Sequence, residues 1–284
     1  MGAMTTSRTT TVAARDGTQI LVRRWAAVGD PWASVLIVHG LAEHSGRYEH
    51  VGRQFAEAGL DVVAYDQRGF GASGGRRAFV ERWAVVHDDL EERLGALRAE
   101  SGDRPVVLFG HSLGGLIALG YVLAEPPRPL PDLLVLSAPA LESTIPRWKR
   151  ALANLLGRIA PTLSLKNMFD GAILSRDPTV GERYVADPMN EHRTTTRFGA
   201  LAIAEQGRVR AALGRLSIPT LVYHGEDDHL VPTAASAPLG AVPGVVRRTY
   251  PGLRHESHNE PEGPAVINDV VDWLRATIPA VEGH

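Results

Sequence analysis

The sequence has no cysteine, almost no lysine and no long apolar run, and each absence excludes a class of protein. Without cysteine among the 284 residues, there are no disulfides, no thiolate metal sites and no cysteine nucleophile. No run of about 20 apolar residues is present, so the sequence predicts no membrane-spanning helix. Lys149 and Lys166 are the only lysines among the 30 basic residues, a bias that we attribute to codon usage. The net charge is −2 and the two signs are mixed, which argues against nucleic-acid binding, since that needs a basic patch.

The bulk composition indicates a folded chain with a substantial core. Its 284 residues, 44% of them hydrophobic, suffice for one large α/β domain or for two small ones. The amino-terminal residues 1–11 are polar and threonine-rich, and they lack the apolar stretch of a signal peptide. We therefore expect a cytoplasmic protein.

Strand and helix patterns alternate along the first half of the chain. Short, continuous apolar runs predict buried strands, and apolar residues at helical spacing predict helices between them. The predicted strands are 19–25, 34–39, 61–65, 105–109 and 133–136, and the predicted helices are 48–58, 85–99 and 113–123. Continuous apolar strands that alternate with helices indicate a parallel sheet covered by helices on both faces.

The alternation stops between residue 139 and about residue 213, where no strand pattern is found. The first apolar residues of this segment share one helical face, and others follow between polar turns. They are Trp148, Leu152, Leu155, Leu156, Ile159, Leu163, Leu165, Met168, Phe169, Ile173 and Leu174. Strands at 220–224 and 246–250 and a helix at 264–276 then resume the pattern. We therefore expect a core of residues 1–138 and 214–284, with residues 139–213 inserted as helices and loops.

The segment Gly110-His111-Ser112-Leu113-Gly114 fits the motif G-x-S-x-G and lies between a predicted strand and a predicted helix. Such a turn crowds the backbone around its central residue, and the two glycines remove Cβ atoms that would collide there. The motif alone occurs by chance in many proteins, but a strand before it and a helix after it are what a nucleophile elbow requires. We therefore predict that Ser112 is a nucleophile exposed at the top of the sheet.

A serine hydroxyl needs a base that takes its proton and an acidic group that orients this base. On this kind of fold the chain order is serine, then Asp or Glu, then histidine, and the acid follows a late strand. The turn after the strand 220–224 offers three carboxylates. Asp228 is the first choice. Asp227 is the alternative, although it could instead cap the turn, and Glu226 is expected in solvent.

The base is expected in the loop after the last predicted strand. His255 lies just after that strand in a glycine-containing loop, from which it could reach Ser112. His258 stands three residues later, so the residues alone leave both histidines open. His224, at the end of a strand, is expected in the core or in a structural hydrogen bond. There is no H-E-x-x-H and no histidine pair on a helix, so the sequence predicts neither a metal site nor a cofactor.

The reaction also needs hydrogen-bond donors for the developing oxyanion. One predicted donor is the backbone N–H of Leu113, the residue after the nucleophile. The other is expected in the loop His39-Gly40-Leu41, which follows an early strand. There Gly40 lets the chain turn so that the N–H of Leu41 faces the site.

Three longer segments complete the pattern. Residues 39–48 are HGLAEHSGRY, residues 66–73 are DQRGFGAS and residues 110–115 are GHSLGG. These segments resemble H-G-x-G-E-H-x-x-R-Y, D-x-R-G-x-G-x-S and G-H-S-x-G-G, the signatures of the monoacylglycerol lipases and their close relatives. Ala42 stands where the first signature has its second glycine. The resemblance spans about residues 16 to 277 and is weakest in the insertion.

The resemblance implies an α/β-hydrolase fold. Its central sheet would be mostly parallel and flanked by helices, with a helical cap inserted after the sixth strand. It also implies that Ser112, Asp228 and His255 form a catalytic triad. The oxyanion donors would be Leu41 and Leu113.

The resemblance further implies a substrate and a pocket for it. The substrate would be a monoacylglycerol, cleaved to fatty acid and glycerol without a cofactor, in a tunnel for one acyl chain with a small polar end. The positions that match this polar end are Glu43, Arg47, His111, Tyr184 and His258. The apolar outer face of the cap is expected to contact a membrane or micelle transiently. A general carboxylesterase or a lysophospholipase that uses the same triad is the alternative.

Overall fold

A central sheet of eight strands organises the protein. The computed structural model describes residues 6–142, 146–167 and 170–278. The strands of the sheet are β1 (Arg8–Ala13), β2 (Gln19–Trp25), β3 (Ala33–Val38), β4 (Leu60–Tyr65), β5 (Val106–His111), β6 (Leu133–Ser137), β9 (Thr220–Gly225) and β10 (Val245–Tyr250). They lie in the order β1-β2-β4-β3-β5-β6-β9-β10. A second sheet pairs β7 (Ser164–Lys166) with β8 (Arg193–Thr195).

Helices connect and cover these strands. The α-helices of the described residues are α1 (Glu49–Glu57), α2 (Ala84–Ser101), α3 (Leu113–Val122), α4 (Arg147–Ile159), α5 (Pro178–Ala186), α6 (Thr196–Ala212) and α7 (Gly263–Thr277). Short 3-10 helices lie at Ser45–Tyr48, Gly171–Ile173, Leu213–Arg215, Thr233–Ala241 and Ser257–Asn259. None of the described helices is both long enough and apolar enough to span a lipid bilayer.

The sheet is parallel apart from its amino-terminal edge. β1 runs antiparallel to β2, and β2 runs antiparallel to β4, whereas all other neighbours in the sheet are parallel. Strands β3, β5, β6 and β9 are buried along their whole length, because separate clusters of apolar side chains cover the two faces of the sheet. The predicted α/β-hydrolase fold is confirmed, and the insertion follows the sixth strand as expected.

One expectation about strands was wrong, and one strand was not predicted. The sequence showed no strand between residues 139 and 213, yet β7 and β8 form an antiparallel pair there. Strands of three residues are too short to display an alternating pattern. The edge strand β1 also escaped prediction, because it is largely exposed and carries polar threonines. Met168 and Phe169 lie outside the described residues, as do the chain ends at 1–5 and 279–284.

Candidate active site

Ser112 occupies the sharp turn between β5 and α3. Its backbone has a φ of +51°, and its N–H donates to the carbonyl of Ser137 at 2.9 Å. A Cβ on Gly114 would lie 2.0 Å from the carbonyl oxygen of Val38, and a Cβ on Gly110 would lie 2.5 Å from the carbonyl oxygen of Gly114. Because these neighbours are backbone atoms, the turn accepts only glycine at both positions. The strand–turn–helix arrangement predicted from the motif is confirmed.

Asp228 and His255 meet beyond the ends of β9 and β10. Oδ2 of Asp228 accepts a hydrogen bond from Nδ1 of His255 at 2.7 Å, and both side chains are buried. The two competing carboxylates point elsewhere. Asp227 is exposed, and Glu226 accepts a hydrogen bond from the hydroxyl of Thr249 at 2.7 Å. Since Nδ1 of His255 is engaged by the carboxylate, Nε2 is the nitrogen left for proton transfer.

A second histidine binds the same carboxylate. Nε2 of His224 lies 2.9 Å from Oδ2 of Asp228, and Oδ1 accepts the N–H groups of Leu230 and Val231, each at 2.8 Å. With His255, four donors therefore fix this carboxylate. The sequence predicted His224 only as a core residue or a structural hydrogen-bonding group, because its position at the end of a strand does not reveal which partner it meets.

The environment holds Asp228 ionised and makes His255 more basic. Burial tends to raise the pKa of Asp228, but the two histidines and the backbone N–H donors outweigh it and keep the pKa well below its usual range. Burial tends to lower the pKa of His255, but the Asp228 carboxylate outweighs it, so the pKa of His255 lies above its ordinary value of 6.5. The pair therefore stabilises an imidazolium, the species formed when histidine takes a proton from serine.

Ser112 and His255 both line a cavity of about 340 Å³. Residues of the core and of the inserted segment form its walls. Most of its wall is apolar and includes Leu116, Ala140, Leu174, Ala202, Ile203, Leu230 and Val231. Of the residues predicted from the sequence, the cavity is also lined by Leu41, Glu43, Arg47, His111, Leu113 and Tyr184. Asp228 lies behind His255, and His258 is not among the lining residues.

The two predicted oxyanion donors, Leu41 and Leu113, lie on the cavity wall together with Ser112. Within the part of the chain that the structure describes, neither N–H donates to another protein group. Ala42 has a φ of +66°, so this alanine adopts the left-handed conformation that the glycine of the family signature would adopt without strain. The loop thus keeps its turn although alanine stands at position 42 in place of glycine.

Paired charges form the polar end of the cavity. The guanidinium of Arg47 donates to both oxygens of Glu256, at 2.7 and 2.8 Å, and also to Glu43. It lies 4.9 Å from the ring centroid of Tyr184. Burial tends to raise the pKa of Glu256, but the charge of Arg47 outweighs it and holds the pKa below its ordinary value. The sequence predicted Arg47, Glu43 and Tyr184 here but missed Glu256, whose partner is 209 residues away.

The histidines beside this polar end are uncharged at neutral pH. Burial, with the nearby His255, lowers the pKa of His111 to about 3, and burial with His111 lowers the pKa of His258 well below 6.5. The ring of His111 lies 4.9 Å from that of His255 and 4.8 Å from that of His258. His258 thus lies behind His111, stacked on Tyr48 at 5.4 Å. This position does not support its prediction as a direct substrate ligand.

Comparisons with known proteins agree with this geometry. The family model described as "Hydrolase_4: Serine aminopeptidase, S33" matches residues 29–262. A monoacylglycerol lipase of Mycolicibacterium smegmatis is 37% identical over 91% of this chain and 93% of its own length. A monoglyceride lipase of Homo sapiens is 31% identical over 90% of this chain and 85% of its own length. The solved structure of a Paleococcus ferrophilus monoacylglycerol lipase superposes with a TM-score of 0.80 and 31% identity, covering 91% of this chain and 99% of that chain. The chain therefore belongs to the monoacylglycerol lipase family of α/β-hydrolases.

Proposed function

We propose that this protein is a serine hydrolase that cleaves monoacylglycerol to free fatty acid and glycerol. The observation that supports this most strongly is the cavity itself. Most of its wall is apolar, paired charges form its polar end, and Ser112 and His255 line it. A monoacylglycerol has one apolar tail and two free hydroxyls, so it matches both parts. The names of the relatives point to the same substrate class.

In the proposed mechanism, Nε2 of His255 takes the proton of the Ser112 hydroxyl as the oxygen attacks the ester carbonyl. The backbone N–H groups of Leu41 and Leu113 stabilise the tetrahedral oxyanion. The protonated His255 then gives its proton to the departing glycerol oxygen, which leaves an acyl group on Ser112. Water attacks this acyl-enzyme by the reverse sequence. Asp228 holds the imidazole tautomer and stabilises its positive charge.

We propose that the polar end receives the glycerol moiety. Glu43 accepts from Arg47, from the N–H of Gly40 and from the hydroxyl of Tyr48. Glu256 accepts twice from Arg47 and once from Asn259, so each carboxylate keeps about one of its roughly four acceptor sites. These oxygens could therefore accept hydrogen bonds from glycerol hydroxyls. His111 and Tyr184 also line the cavity, and we propose that they contact the same moiety. Apolar side chains surround the acyl chain.

A substrate panel separates this function from its alternatives. Fatty acid release would be measured from monoacylglycerols of increasing chain length, p-nitrophenyl esters, a diacylglycerol and a lysophospholipid. We expect efficient turnover of monoacylglycerols and little of the two bulkier lipids, because a small polar end that fits glycerol does not fit a second acyl chain or a phosphate-containing headgroup. Turnover of short p-nitrophenyl esters alone would indicate a general carboxylesterase. Preference for the lysophospholipid would indicate a lysophospholipase.

We further propose that residues 139–213 act as a cap that touches membranes through α4. Trp148, Leu155 and Ile159 on the outer side of this helix are 65%, 53% and 69% exposed, and an apolar stripe of this kind marks a contact surface. Five basic residues and no acidic residue lie between positions 146 and 167. A surface that is both apolar and cationic fits a lipid bilayer with anionic headgroups.

Vesicle sedimentation tests this contact. We expect the protein to bind phosphatidylcholine vesicles more tightly when they contain phosphatidylglycerol. The double variant Leu155→Ser/Ile159→Ser should bind at least several-fold more weakly, because each side chain loses apolar area that the membrane would bury. Val28→Ser is the matched control, since Val28 is 57% exposed but lies on the core. Equal binding by both variants would exclude α4 as the contact.

A further inference from the structure

The loop that carries Leu41 is anchored by the core on one side. This oxyanion loop (residues 39–44) follows β3 and contacts the turn of Ser112. The N–H of Gly40 donates to the carboxylate of Glu43, and the carbonyl of Gly40 accepts from Nδ1 of His39 at 2.8 Å. Both polar groups of Gly40 are therefore held by side chains of the same loop. The core fixes these side chains in turn, because Nε2 of His39 accepts the N–H of Gln67 at 2.9 Å and Glu43 accepts the hydroxyl of Tyr48 at 2.8 Å.

The residue immediately after the donor is anchored by the cap. The carbonyl of Ala42 accepts the N–H of Glu191 at 3.0 Å and the hydroxyl of Tyr184 at 3.4 Å. Glu191 ends the turn between α5 and β8, which we call the cap turn (residues 187–191). This turn is held against α5, because the side chain of Asn190 donates to the carbonyl of Tyr184 at 2.8 Å. The N–H of Leu41 thus lies between a residue held by the core and a residue held by the cap.

A side-chain hydrogen bond joins the same two segments. Nδ1 of His44 accepts the N–H of Gly46 at 3.1 Å, so Nε2 carries the proton and donates to Oδ2 of Asp187 at 2.9 Å. His44 belongs to the oxyanion loop and is buried, and Asp187 begins the cap turn. Because the acceptor is a carboxylate, this is one of the stronger kinds of hydrogen bond.

The backbone of Ala42 needs such support. Its φ of +66° lies in the left-handed region, which alanine disfavours and glycine adopts freely. A residue persists in this region only where its surroundings impose the conformation. Ala42 is completely buried, and the groups that hold its carbonyl come from the cap.

We propose that the cap turn positions the oxyanion hole. In the observed arrangement it holds Ala42 in the left-handed conformation and thereby fixes the N–H of Leu41 beside Ser112. Withdrawal of the cap turn frees the loop and weakens the oxyanion hole. Asp187 and His44 are the positioning residues that join the two segments. This inference rests on the proposed function, since it takes Leu41 to be an oxyanion donor.

Asp187→Ala tests the inference with p-nitrophenyl butyrate as substrate. Losing an oxyanion donor costs 10²- to 10³-fold in kcat, so a donor that is loosened rather than removed should cost about tenfold. KM should stay unchanged, because the contact is made only in the transition state. A trifluoromethyl ketone, which Ser112 attacks to form a hemiketal oxyanion, should lose affinity by a similar factor. His44→Ala breaks the same hydrogen bond from the core side and should give the same pattern.

Two further variants separate positioning from general damage. Asp177→Ala removes a side-chain cap at the other end of α5, where Asp177 accepts the N–H of Thr179 at 2.9 Å, and should leave kcat near that of the wild type. Ala42→Gly introduced into Asp187→Ala should restore most of the lost kcat, because glycine adopts the required backbone conformation without help from the cap. Since relief of this strain also raises stability, kcat is compared under conditions in which every variant is fully folded, so that a loss of stability alone leaves kcat unchanged.

Unchanged kcat in both Asp187→Ala and His44→Ala, each shown to be folded by circular dichroism, would overturn the inference. So would a rise in KM alone, since that would mean that the cap turn only binds substrate. The short ester keeps this test independent of the substrate proposal. If the wild type hydrolyses the ester but not monoacylglycerol, the proposed function fails and the positioning role can still be measured.

Discussion

Asp228 makes four hydrogen bonds, and only one of them reaches His255. His224 and two backbone N–H groups hold the rest of the carboxylate before any substrate arrives. A carboxylate fixed in this way needs no reorganisation when His255 becomes positively charged. His111 and His258, the uncharged histidines near His255, add no competing positive charge. The electrostatics beside the imidazole are therefore set mainly by one carboxylate.

The raised pKa of His255 predicts the acid side of the pH profile. Protonated His255 cannot accept the proton of Ser112, so activity is lost as pH falls through its pKa, which Asp228 holds above 6.5. We expect kcat/KM to rise with pH to a plateau, with an apparent pKa above 6.5. In Asp228→Asn this limb should shift to lower pH, and the plateau should fall by about 10⁴-fold. A limb that does not move in Asp228→Asn would exclude His255 as the titrating base.

His224 is expected to matter for both stability and rate. Its Nε2 lies within hydrogen-bond distance of both Asp228 and the carbonyl of Val231. His224→Leu would leave two buried acceptors short of a donor, which should cost about 2 kcal/mol of unfolding free energy. In this variant Asp228 would be held less firmly and would position His255 less well, so we expect kcat to fall roughly tenfold. His224→Gln retains an N–H donor and should therefore keep more of the unfolding free energy and more of kcat. Equal behaviour of the two variants in urea unfolding and in kcat would contradict this role.

Single residues could be predicted when their partners lie close to them in the sequence. Ser112 was predictable from flanking glycines and a strand, all within a few residues. Asp228 and His255 followed from chain order, but the choice over Asp227 and His258 came from the family resemblance. Glu256 could not be found, because nothing near it in the sequence marks Arg47 as its partner.

At the scale of elements, burial decided which strands were predictable. β3, β5 and β9 are buried along their whole length, so their apolar runs stand out. β1 is an exposed edge, and β7 and β8 are three residues long, so their backbone pairing leaves no trace in side-chain pattern. The bounds of α1, α2, α3 and α7 were predicted to within about two residues, whereas α5 and α6 of the inserted segment were not assigned from the sequence.

Two glycine substitutions test how the elements pack. A Cβ on Gly114 would collide with backbone atoms at the end of β3, whereas Gly95 in α2 has open space around its Cβ position. We expect Gly114→Ala to lower the free energy of unfolding by about 3 kcal/mol or more and to abolish activity. Gly95→Ala should instead raise it by about 0.5–1 kcal/mol, because alanine favours helix. Urea unfolding compares the two, and similar values for both would contradict this account of the elbow.

At the scale of the whole molecule, the cavity depends on both parts of the chain. Core segments supply Ser112, His255 and Leu41, and the inserted segment supplies Tyr184 and several apolar walls. Alternating strands and helices predicted a covered parallel sheet but not the order of its strands. The break in that alternation gave the place of the insertion, but the strand order was not predicted, since hydrophobic patterns record which residues are buried and not which strands are neighbours.

The central claim is that Ser112 takes the acyl group from a monoacylglycerol. The most direct test is the initial rate of glycerol release from a long-chain monoacylglycerol by the wild type and by Ser112→Ala, with both proteins shown to be folded. We predict steady release by the wild type and a rate at least about 10³-fold lower in Ser112→Ala, as expected when a nucleophile is removed. No glycerol release by the wild type, or comparable release by Ser112→Ala, would contradict the account.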